Sequence, residues 1–122
     1  MNLKCHCGNI SIQIDSKPDT LTVCNCSICH RYGSIWGYYN PNRVEINVGG
    51  LGFSAYIWGD KCIEFVHCKQ CGCVTHYQTL QGDLDPRIAV NFRMMDSIEL
   101  ENIPVRKFDG ASAELLDKNE AN

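Results

Sequence analysis

Hydrophobic and polar residues alternate along several short stretches of the chain. Ile10, Ile12 and Ile14 are separated by polar residues, and the same period of two recurs over 44–48. This period is typical of a β-strand with one buried face. Further strand-like runs lie at 53–58, 62–66, 73–77, 88–92 and 105–108. Turn-forming dipeptides lie between the runs, namely Gly49-Gly50, Gly59-Asp60, Gly82-Asp83 and Asp85-Pro86.

Helical periodicity is scarce in this sequence. One helical turn is predicted after Ser27, which would serve as its N-cap, and another over 96–100. With 122 residues, the chain has room for one domain and one core. We therefore predict a small all-β domain over residues 1–110, with few short helical turns, followed by an acidic C-terminal tail over 111–122.

Charge and hydropathy exclude some classes of partner. Eleven basic residues stand against fourteen acidic ones, giving a net charge of −3, whereas a nucleic-acid-binding domain normally shows a basic face. No apolar run approaches the roughly 18 residues of a membrane span, and the first five residues lack the apolar stretch of a secretory signal. We expect a cytoplasmic protein that binds neither nucleic acid nor membrane.

The chain contains nine cysteines, which is an odd number. Structural disulfides are rare in cytoplasmic proteins, where clustered cysteines more often bind a metal ion. Most of the cysteines fall into three groups: Cys5-His6-Cys7-Gly8, Cys24-Asn25-Cys26-Ser27-Ile28-Cys29 and Cys68-Lys69-Gln70-Cys71-Gly72. A cysteine pair followed by glycine suits tetrahedral zinc, because the thiolates lie at the ends of a tight turn and the glycine can take a positive φ. The spacing predicts zinc binding.

The spacing alone leaves the grouping of the cysteines open. Cys5 and Cys7 could join the pair in 68–71, or they could join Cys24 and Cys26. The first arrangement would leave the cysteines of 24–29 as a set of three thiolates. Four protein ligands are typical of structural zinc, and three with an open fourth position are typical of reactive zinc.

The order and spacing of these cysteines resemble those of the glutathione-dependent formaldehyde-activating family, which includes the centromere protein V proteins. The likeness extends from residue 3 to residue 110 and continues outside the cysteines in Arg31, Gly37-Tyr38-Tyr39, Tyr56-Ile57-Trp58-Gly59, Ala89-Val90-Asn91-Phe92-Arg93 and Phe108-Asp109-Gly110.

The resemblance implies a fold, two metal sites and an activity. The fold would be a set of coiled antiparallel sheets around the zinc sites. A structural zinc would be held by Cys5, Cys7, Cys68 and Cys71. A second, labile zinc would be held at the catalytic centre by Cys24, Cys26 and Cys29. The family's named enzyme is a carbon–sulfur lyase that interconverts S-hydroxymethylglutathione with glutathione and formaldehyde.

Three further residues are candidates for binding the co-substrate glutathione. Arg31 lies just beyond the second cysteine group and could meet a substrate carboxylate. Asn91 and Arg93 alternate with apolar neighbours, which would place both on one face of a strand. The expected partner is a small thiol–aldehyde adduct, and a homodimer is left open. The alternative function is a non-catalytic zinc module that binds glutathione or a protein.

Other residues near the cysteine groups have open roles. His30 and His76 are candidates for a fourth zinc ligand or a proton donor. Cys62 and Cys73 fall outside the family pattern and are expected to pack in strands, with an alternative ligand or redox role open for Cys73. Five aromatic residues could form core or line a ligand groove: Trp36, Tyr38, Tyr39, Tyr56 and Trp58.

Overall fold

The computed structural model describes residues 1–58, 63–80 and 85–112. Within these ranges the chain forms ten strands, β1 to β10 in chain order: Asn2–Lys4, Ile10–Ile14, Leu21–Cys24, Trp36–Tyr39, Val44–Val48, Phe53–Trp58, Ile63–Cys68, Val74–Thr79, Ile88–Asn91 and Val105–Phe108. Two short α-helices, α1 (Ser27–Tyr32) and α2 (Ser97–Leu100), interrupt the strands. The predicted all-β class is therefore confirmed.

The strands form two sheets of unequal size. The smaller sheet has the order β1-β2-β5, and the larger sheet has the order β10-β3-β4-β9-β8-β7-β6. All pairings are antiparallel except β10 with β3, which run parallel. The parallel pairing brings the C-terminal end of β10 beside Cys24, because Phe108 is the register partner of that residue.

The larger sheet has a different core on each of its faces. On one face, Leu3 and Ile12 of the smaller sheet pack with Leu21, Val90 and other buried residues. Alternate residues of the same strands point to the other face and join a second cluster that includes Cys24, Cys29, Trp36, Phe65 and Tyr77. Helix α1 covers this second face, which therefore holds the second cysteine group.

The strand predictions differ in accuracy. The patterns over 10–14, 44–48, 53–58 and 105–108 coincide with β2, β5, β6 and β10. The patterns over 62–66 and 73–77 anticipated β7 and β8 with shifted ends. Strands β1, β3 and β4 were missed, since each has at most four residues and shows no sustained alternation. Some of the predictions concern positions outside the described residues: Cys62, the turns at 59–60 and 82–83, and the tail residues 113–122.

Two local predictions were wrong. The N-cap of α1 is Cys26 rather than Ser27, which is the first residue of the helix; the His30 N–H donates to the Cys26 carbonyl oxygen over 3.0 Å.

Strand β9 ends at Asn91, and the chain continues as a 3-10 turn over Phe92–Met94. The Asn91 side chain accepts a hydrogen bond from the Arg93 N–H, which favours the turn, so Asn91 and Arg93 do not share a strand face.

A close contact inside the larger sheet requires glycine at position 37. Gly37 of β4 is buried against the ring of Phe92, which is itself fully buried. A Cβ atom built at Gly37 would overlap the Phe92 Cε1 atom and lie 3.0 Å from Cδ1. The ring could move only by displacing the core between the two sheets, to which it belongs.

We expect Gly37→Ala to lower the free energy of unfolding by about 1–3 kcal/mol, the usual cost of overpacking a core. Urea denaturation followed by tryptophan fluorescence would measure the change. Gly50→Ala is the matched control, because a Cβ at Gly50 meets no atom within 4 Å. Equal stability of the two variants would contradict the expectation.

Candidate functional site

Four cysteines from distant segments converge between the two sheets. The Sγ atoms of Cys5, Cys7, Cys68 and Cys71, here called the four-cysteine group, all lie within 4.8 Å of one another. The Cys7 Sγ lies 3.7 Å from that of Cys5 and 3.6 Å from that of Cys68. A tetrahedron of zinc–sulfur bonds of 2.3 Å has edges of about 3.8 Å, so the sulfurs fit a zinc ion. Of the two groupings that the sequence left open, the structure shows the first.

Each half of this group is a tight turn closed by glycine. Gly8 and Gly72 have φ values of 83° and 78°, in the left-handed region that favours glycine. Their N–H groups donate to the carbonyl oxygens of Cys5 and Cys68 over 3.0 and 2.9 Å. The turn geometry expected from the two Cys-Gly motifs is thus present in the structure.

Backbone amides surround the sulfurs of the four-cysteine group. The Ile10 N–H donates to the Cys5 Sγ, and the Gln70 N–H donates to the Cys68 Sγ, each over 3.3 Å. The backbone N–H of Cys71, outweighing the opposite effect of burial, lowers the pKa of Cys68. Burial raises the pKa of Cys71, but the backbone N–H groups of Cys7 and Cys73 outweigh it and bring this pKa down to about 5. The fold thus favours the thiolate forms of Cys68 and Cys71 before any metal is considered.

Cys7 shows the limit of this stabilisation. The backbone N–H of Asn9 lowers the pKa of Cys7, but burial and the neighbouring thiols outweigh it and raise the pKa to about 12. Clustered sulfurs repel one another as anions, so the last thiol keeps its proton unless a cation balances the charge. This donor set, which is all sulfur and closely spaced, has the chemistry that zinc requires.

The second group lies on the other face of the larger sheet. Cys24 ends β3, Cys26 caps α1, and Cys29 lies in the first turn of that helix. Their Sγ atoms, here called the three-cysteine group, lie within 4.8 Å of one another. Among the described residues, no further cysteine, histidine or carboxylate belongs to this group. The three sulfurs fit a zinc ion that keeps one coordination position for another ligand.

Aromatic rings rather than backbone amides dominate the surroundings of the three-cysteine group. The Nε1 of Trp36, which is fully buried, donates to the Cys29 Sγ over 3.3 Å. Trp36 packs edge-on against Tyr77, with ring centroids 4.9 Å apart. Burial is the largest influence on both Cys24 and Cys29, and it raises the pKa of each thiol. Thiolates at this site therefore depend more on a bound cation than those of Cys68 and Cys71.

The end of β10 closes the three-cysteine group from the C-terminal side. The Asn25 side chain accepts a hydrogen bond from the Ala111 N–H over 2.8 Å and donates one to Asp109 over 3.2 Å. These bonds hold Gly110 against the sulfurs: a Cβ at Gly110 would overlap the Cys24 Sγ and lie 3.2 Å from the Cys26 Cβ. The sequence indicated Gly110 only as part of the family likeness, since its contact with Cys24 depends on the parallel pairing of β10.

The three predicted glutathione-binding residues make contacts with the backbone. Asn91 is 3% exposed; its Oδ1 accepts from the N–H groups of Ile35 and Arg93, and its Nδ2 donates to the Val74 carbonyl oxygen. The Arg31 Nη1 donates to the Ser27 carbonyl oxygen of α1, and the Arg93 Nε to that of Gly33. Arg31 and Arg93 are both exposed, and their guanidinium groups are hydrogen-bonded to α1 and to its C-cap, respectively. A contact with glutathione stays a prediction for all three.

Neither histidine candidate belongs to a cysteine group in the described structure. His30 is exposed on α1. His76 is 3% exposed, its Nδ1 lies 2.8 Å from the Thr75 Oγ1, and burial lowers its pKa to about 4. It points away from the face on which the neighbouring Tyr77 contacts Trp36. Cys73 also lies outside both groups, although its thiol contacts Cys71.

The five aromatic candidates divide between core and surface. Trp36 and Tyr39 are buried, Tyr38 is half-buried in the cluster of the three-cysteine group, and Tyr56 is 48% exposed and stacked on Trp58. Tyr77 was missed as a site residue, although it packs beside Trp36 in the same cluster. Its position in a strand-like run beside a candidate histidine contained no signal that separated it from an ordinary core residue.

Fold and cysteine geometry together define a class: a small β domain with one four-sulfur and one three-sulfur group, each shaped for zinc. Comparison with protein-family models identifies the family. The model of the glutathione-dependent formaldehyde-activating enzymes matches residues 1–108, and the chain belongs to this family.

The chain was also compared with solved structures and with curated proteins. A crystal structure of a protein from Rhodobacter sphaeroides superposes with a TM-score of 0.68 at 23% sequence identity, covering 87% of this chain and 100% of that one. At this identity the likeness concerns the fold alone. A search of curated proteins gives no significant match. Within the described ranges, no helix has the length and apolar character needed to cross a bilayer.

We expect Gly110→Ala to weaken zinc binding by the three-cysteine group about tenfold or more, because the added methyl group would displace the Cys24 sulfur. Competition with a chromophoric chelator would measure both zinc affinities. The four-cysteine group in the same molecule is the internal control and should be unchanged. An unaltered affinity at both groups would show that the contact does not position Cys24.

We expect His76 to make stability depend on pH. Because the pKa of His76 is about 4 in the folded state and ordinarily about 6.5, the unfolded chain binds the proton more tightly. The stability that the neutral ring contributes is complete above pH 6.5 and is lost as the pH falls towards 4, by about 3 kcal/mol in all.

Urea denaturation between pH 7 and pH 4 would measure this loss. The variant His76→Asn should show a loss smaller by about this amount than the wild type. The variant His30→Asn, at an exposed position, should keep the wild-type pH dependence. Parallel curves for all three proteins would rule out the assignment.

Proposed function

We propose that this chain is a zinc-dependent carbon–sulfur lyase that interconverts S-hydroxymethylglutathione with glutathione and formaldehyde. The observation that carries the proposal is the three-cysteine group, in which three converging sulfurs lack a fourth protein ligand among the described residues. Membership of the glutathione-dependent formaldehyde-activating family supports the choice of substrate. The cytoplasmic location expected from the sequence belongs to this proposal, because such a site needs thiols that stay reduced.

The two cysteine groups have different roles in this proposal. The four-cysteine group holds a structural zinc that joins residues 5–7 to residues 68–71. Cys24, Cys26 and Cys29 hold the labile zinc, which when bound supplies a positive charge that favours the thiolate form of a substrate thiol in the open position. Trp36 orients Cys29 through its indole N–H, and Gly110 leaves the space that the Cys24 sulfur occupies.

Two tyrosines on the same face are suited to handle the proton. Burial outweighs the opposing charge of Arg87 and raises the pKa values of Tyr38 and Tyr77, so both hydroxyls stay protonated at neutral pH. Their side chains are hydrogen-bonded to each other. A phenol at this position donates a hydrogen bond to the oxygen atom of the hydroxymethyl group. As the carbon–sulfur bond breaks, the sulfur retains the bonding electrons and the electrons of the O–H bond form the carbonyl bond. The hydroxyl proton passes through the phenol oxygen to the sulfur, giving formaldehyde and the thiol.

The second candidate is a module that binds glutathione without turnover. The observation that favours it is that both candidate imidazoles lie outside the three-cysteine group. In this case the tyrosines would only line the ligand site. Thiol binding without exchange of formaldehyde would identify such a module.

We expect Cys26→Ser to reduce the zinc content from two ions to one per chain and to abolish catalysed exchange. Native mass spectrometry would count the metal ions, and exchange spectroscopy with ¹³C-formaldehyde and glutathione would measure turnover. Cys73→Ser is the control, because Cys73 belongs to neither group. Unchanged zinc content and exchange in Cys26→Ser would contradict the proposed function, and glutathione binding with no exchange in the wild type would favour the module.

A further inference from the structure

A cavity of about 530 Å³ opens between the segment that follows β2 and the larger sheet. Residues 16–20 form one side of the cavity, and Tyr38, Tyr39 and Arg43 form another. Thr22 of β3 and Arg106 of β10 complete the lining. We call this cavity the cationic pocket. Of its residues, the sequence indicated only Tyr38 and Tyr39 as candidates for lining a ligand groove.

The pocket is positively charged in a chain whose net charge is −3. Lys17, Arg43 and Arg106 line it against a single carboxylate, that of Asp19. Arg43 is already paired with Asp15, whose carboxylate lies 2.9 Å from its Nη2. Lys17 and Arg106 therefore carry most of the charge that the pocket can offer to an anion.

Arg106 is held in place by a buried hydroxyl. Its Nε donates to the Oγ1 of Thr22 over 2.9 Å, and Thr22 is 1% exposed. A guanidinium has five N–H donors, and this bond uses one of them. A guanidinium that is fixed through its Nε–H is preorganised to bind a carboxylate through its remaining N–H groups.

Two lining residues, Thr22 and Tyr38, connect the pocket to the face of the larger sheet that holds the three-cysteine group, whereas Tyr39 belongs to the core on the other face. Thr22 and Cys24 are two residues apart on β3, so their side chains share a face at a separation of about 7 Å. Tyr38 and Trp36 share a face of β4 in the same way, and Trp36 contacts Cys29. Tyr38 thus links the pocket to the aromatic cluster around the sulfurs.

We infer that the cationic pocket binds a terminal carboxylate of a peptide thiol whose sulfur lies at the three-cysteine group. The inference rests on the proposed function for the position of the sulfur. Extended peptide spans at most about 3.3–3.6 Å per residue, so the carboxylate of a cysteine-containing tripeptide lies about 7 Å from the cysteine sulfur. This length is comparable with the separation of about 7 Å between Cys24 and Thr22, the residue that holds Arg106 in place. Glutathione, which has a carboxylate at each end, has the required chemistry.

Calorimetric titration of the zinc-loaded protein would test this inference with two ligands, glutathione and its diethyl ester. We expect the wild type to bind glutathione at least tenfold more tightly than the ester. Arg106→Gln should weaken glutathione binding about five- to tenfold and leave ester binding unchanged, because a charge-assisted hydrogen bond is lost. Lys17→Gln, a second variant at an exposed site, should act in the same direction.

Lys107→Gln is the matched control. Lys107 follows Arg106 on the exposed strand β10, but its side chain points to the opposite face. The substitution of Lys107 therefore removes the same charge without changing the pocket. Equal binding of glutathione and its ester by the wild type would overturn the inference. Equal effects of Arg106→Gln and Lys107→Gln would do the same, as would the absence of glutathione binding.

Failure of the proposed lyase activity has a different signature. If the protein binds glutathione more tightly than the ester in an Arg106-dependent way but shows no formaldehyde exchange, the carboxylate-binding role of the pocket stands and the lyase activity is rejected. If formaldehyde exchange is observed but glutathione and its ester bind equally well, the lyase activity stands and the carboxylate-binding role of the pocket is rejected.

Discussion

Repulsion between clustered sulfurs is the constraint on which the rest of this structure depends. Seven thiols lie in two groups in which each Sγ is within 4.8 Å of its neighbours. At such distances the thiols cannot all ionise unless positive charge is supplied. The fold supplies part of it through backbone N–H groups at one site and supplies less at the other. The three-cysteine group therefore depends more on an added cation for its ionisation than the four-cysteine group does.

The two groups also differ in how much of the chain they join. The four-cysteine group connects residues 5–7 with residues 68–71, so a metal there links the smaller sheet to β7 and closes a long loop. Such a link restricts the unfolded chain as a disulfide does. The three-cysteine group draws all of its sulfurs from 24–29, so losing its metal would release only one short segment. A labile ion is therefore compatible with a stable domain only at the second site.

Local patterns were sufficient to predict much of the fold. Alternation over 10–14 and 44–48 predicted β2 and β5 because each strand has one face turned to the core. The Cys-Gly motifs predicted the turns at Gly8 and Gly72, because glycine readily adopts the positive φ with which the chain leaves each cysteine pair. Strands β1, β3 and β4 were missed, since each has at most four residues and shows no sustained alternation.

The site was less predictable for the same reason. Which cysteines meet depends on sheet order, and spacing within each motif is compatible with either grouping. The contact of Gly110 with Cys24 and the position of Arg106 beside Thr22 both depend on the parallel pairing of β10 with β3, for which no local signal exists. Asn91 illustrates the converse: the alternation around it indicated a strand face shared with Arg93, but the strand ends at Asn91 and its amide is enclosed by backbone partners.

The Asn25 hydrogen bonds to Asp109 and Ala111 have a consequence for the order of assembly during synthesis. All ligands of the four-cysteine group have been synthesised by residue 71, whereas the three-cysteine group is closed only when residues 105–111 reach β3. A chain still attached to the ribosome can thus hold its first metal ion while its second group stays uncovered. The three-cysteine group is therefore the last of the two groups to be enclosed.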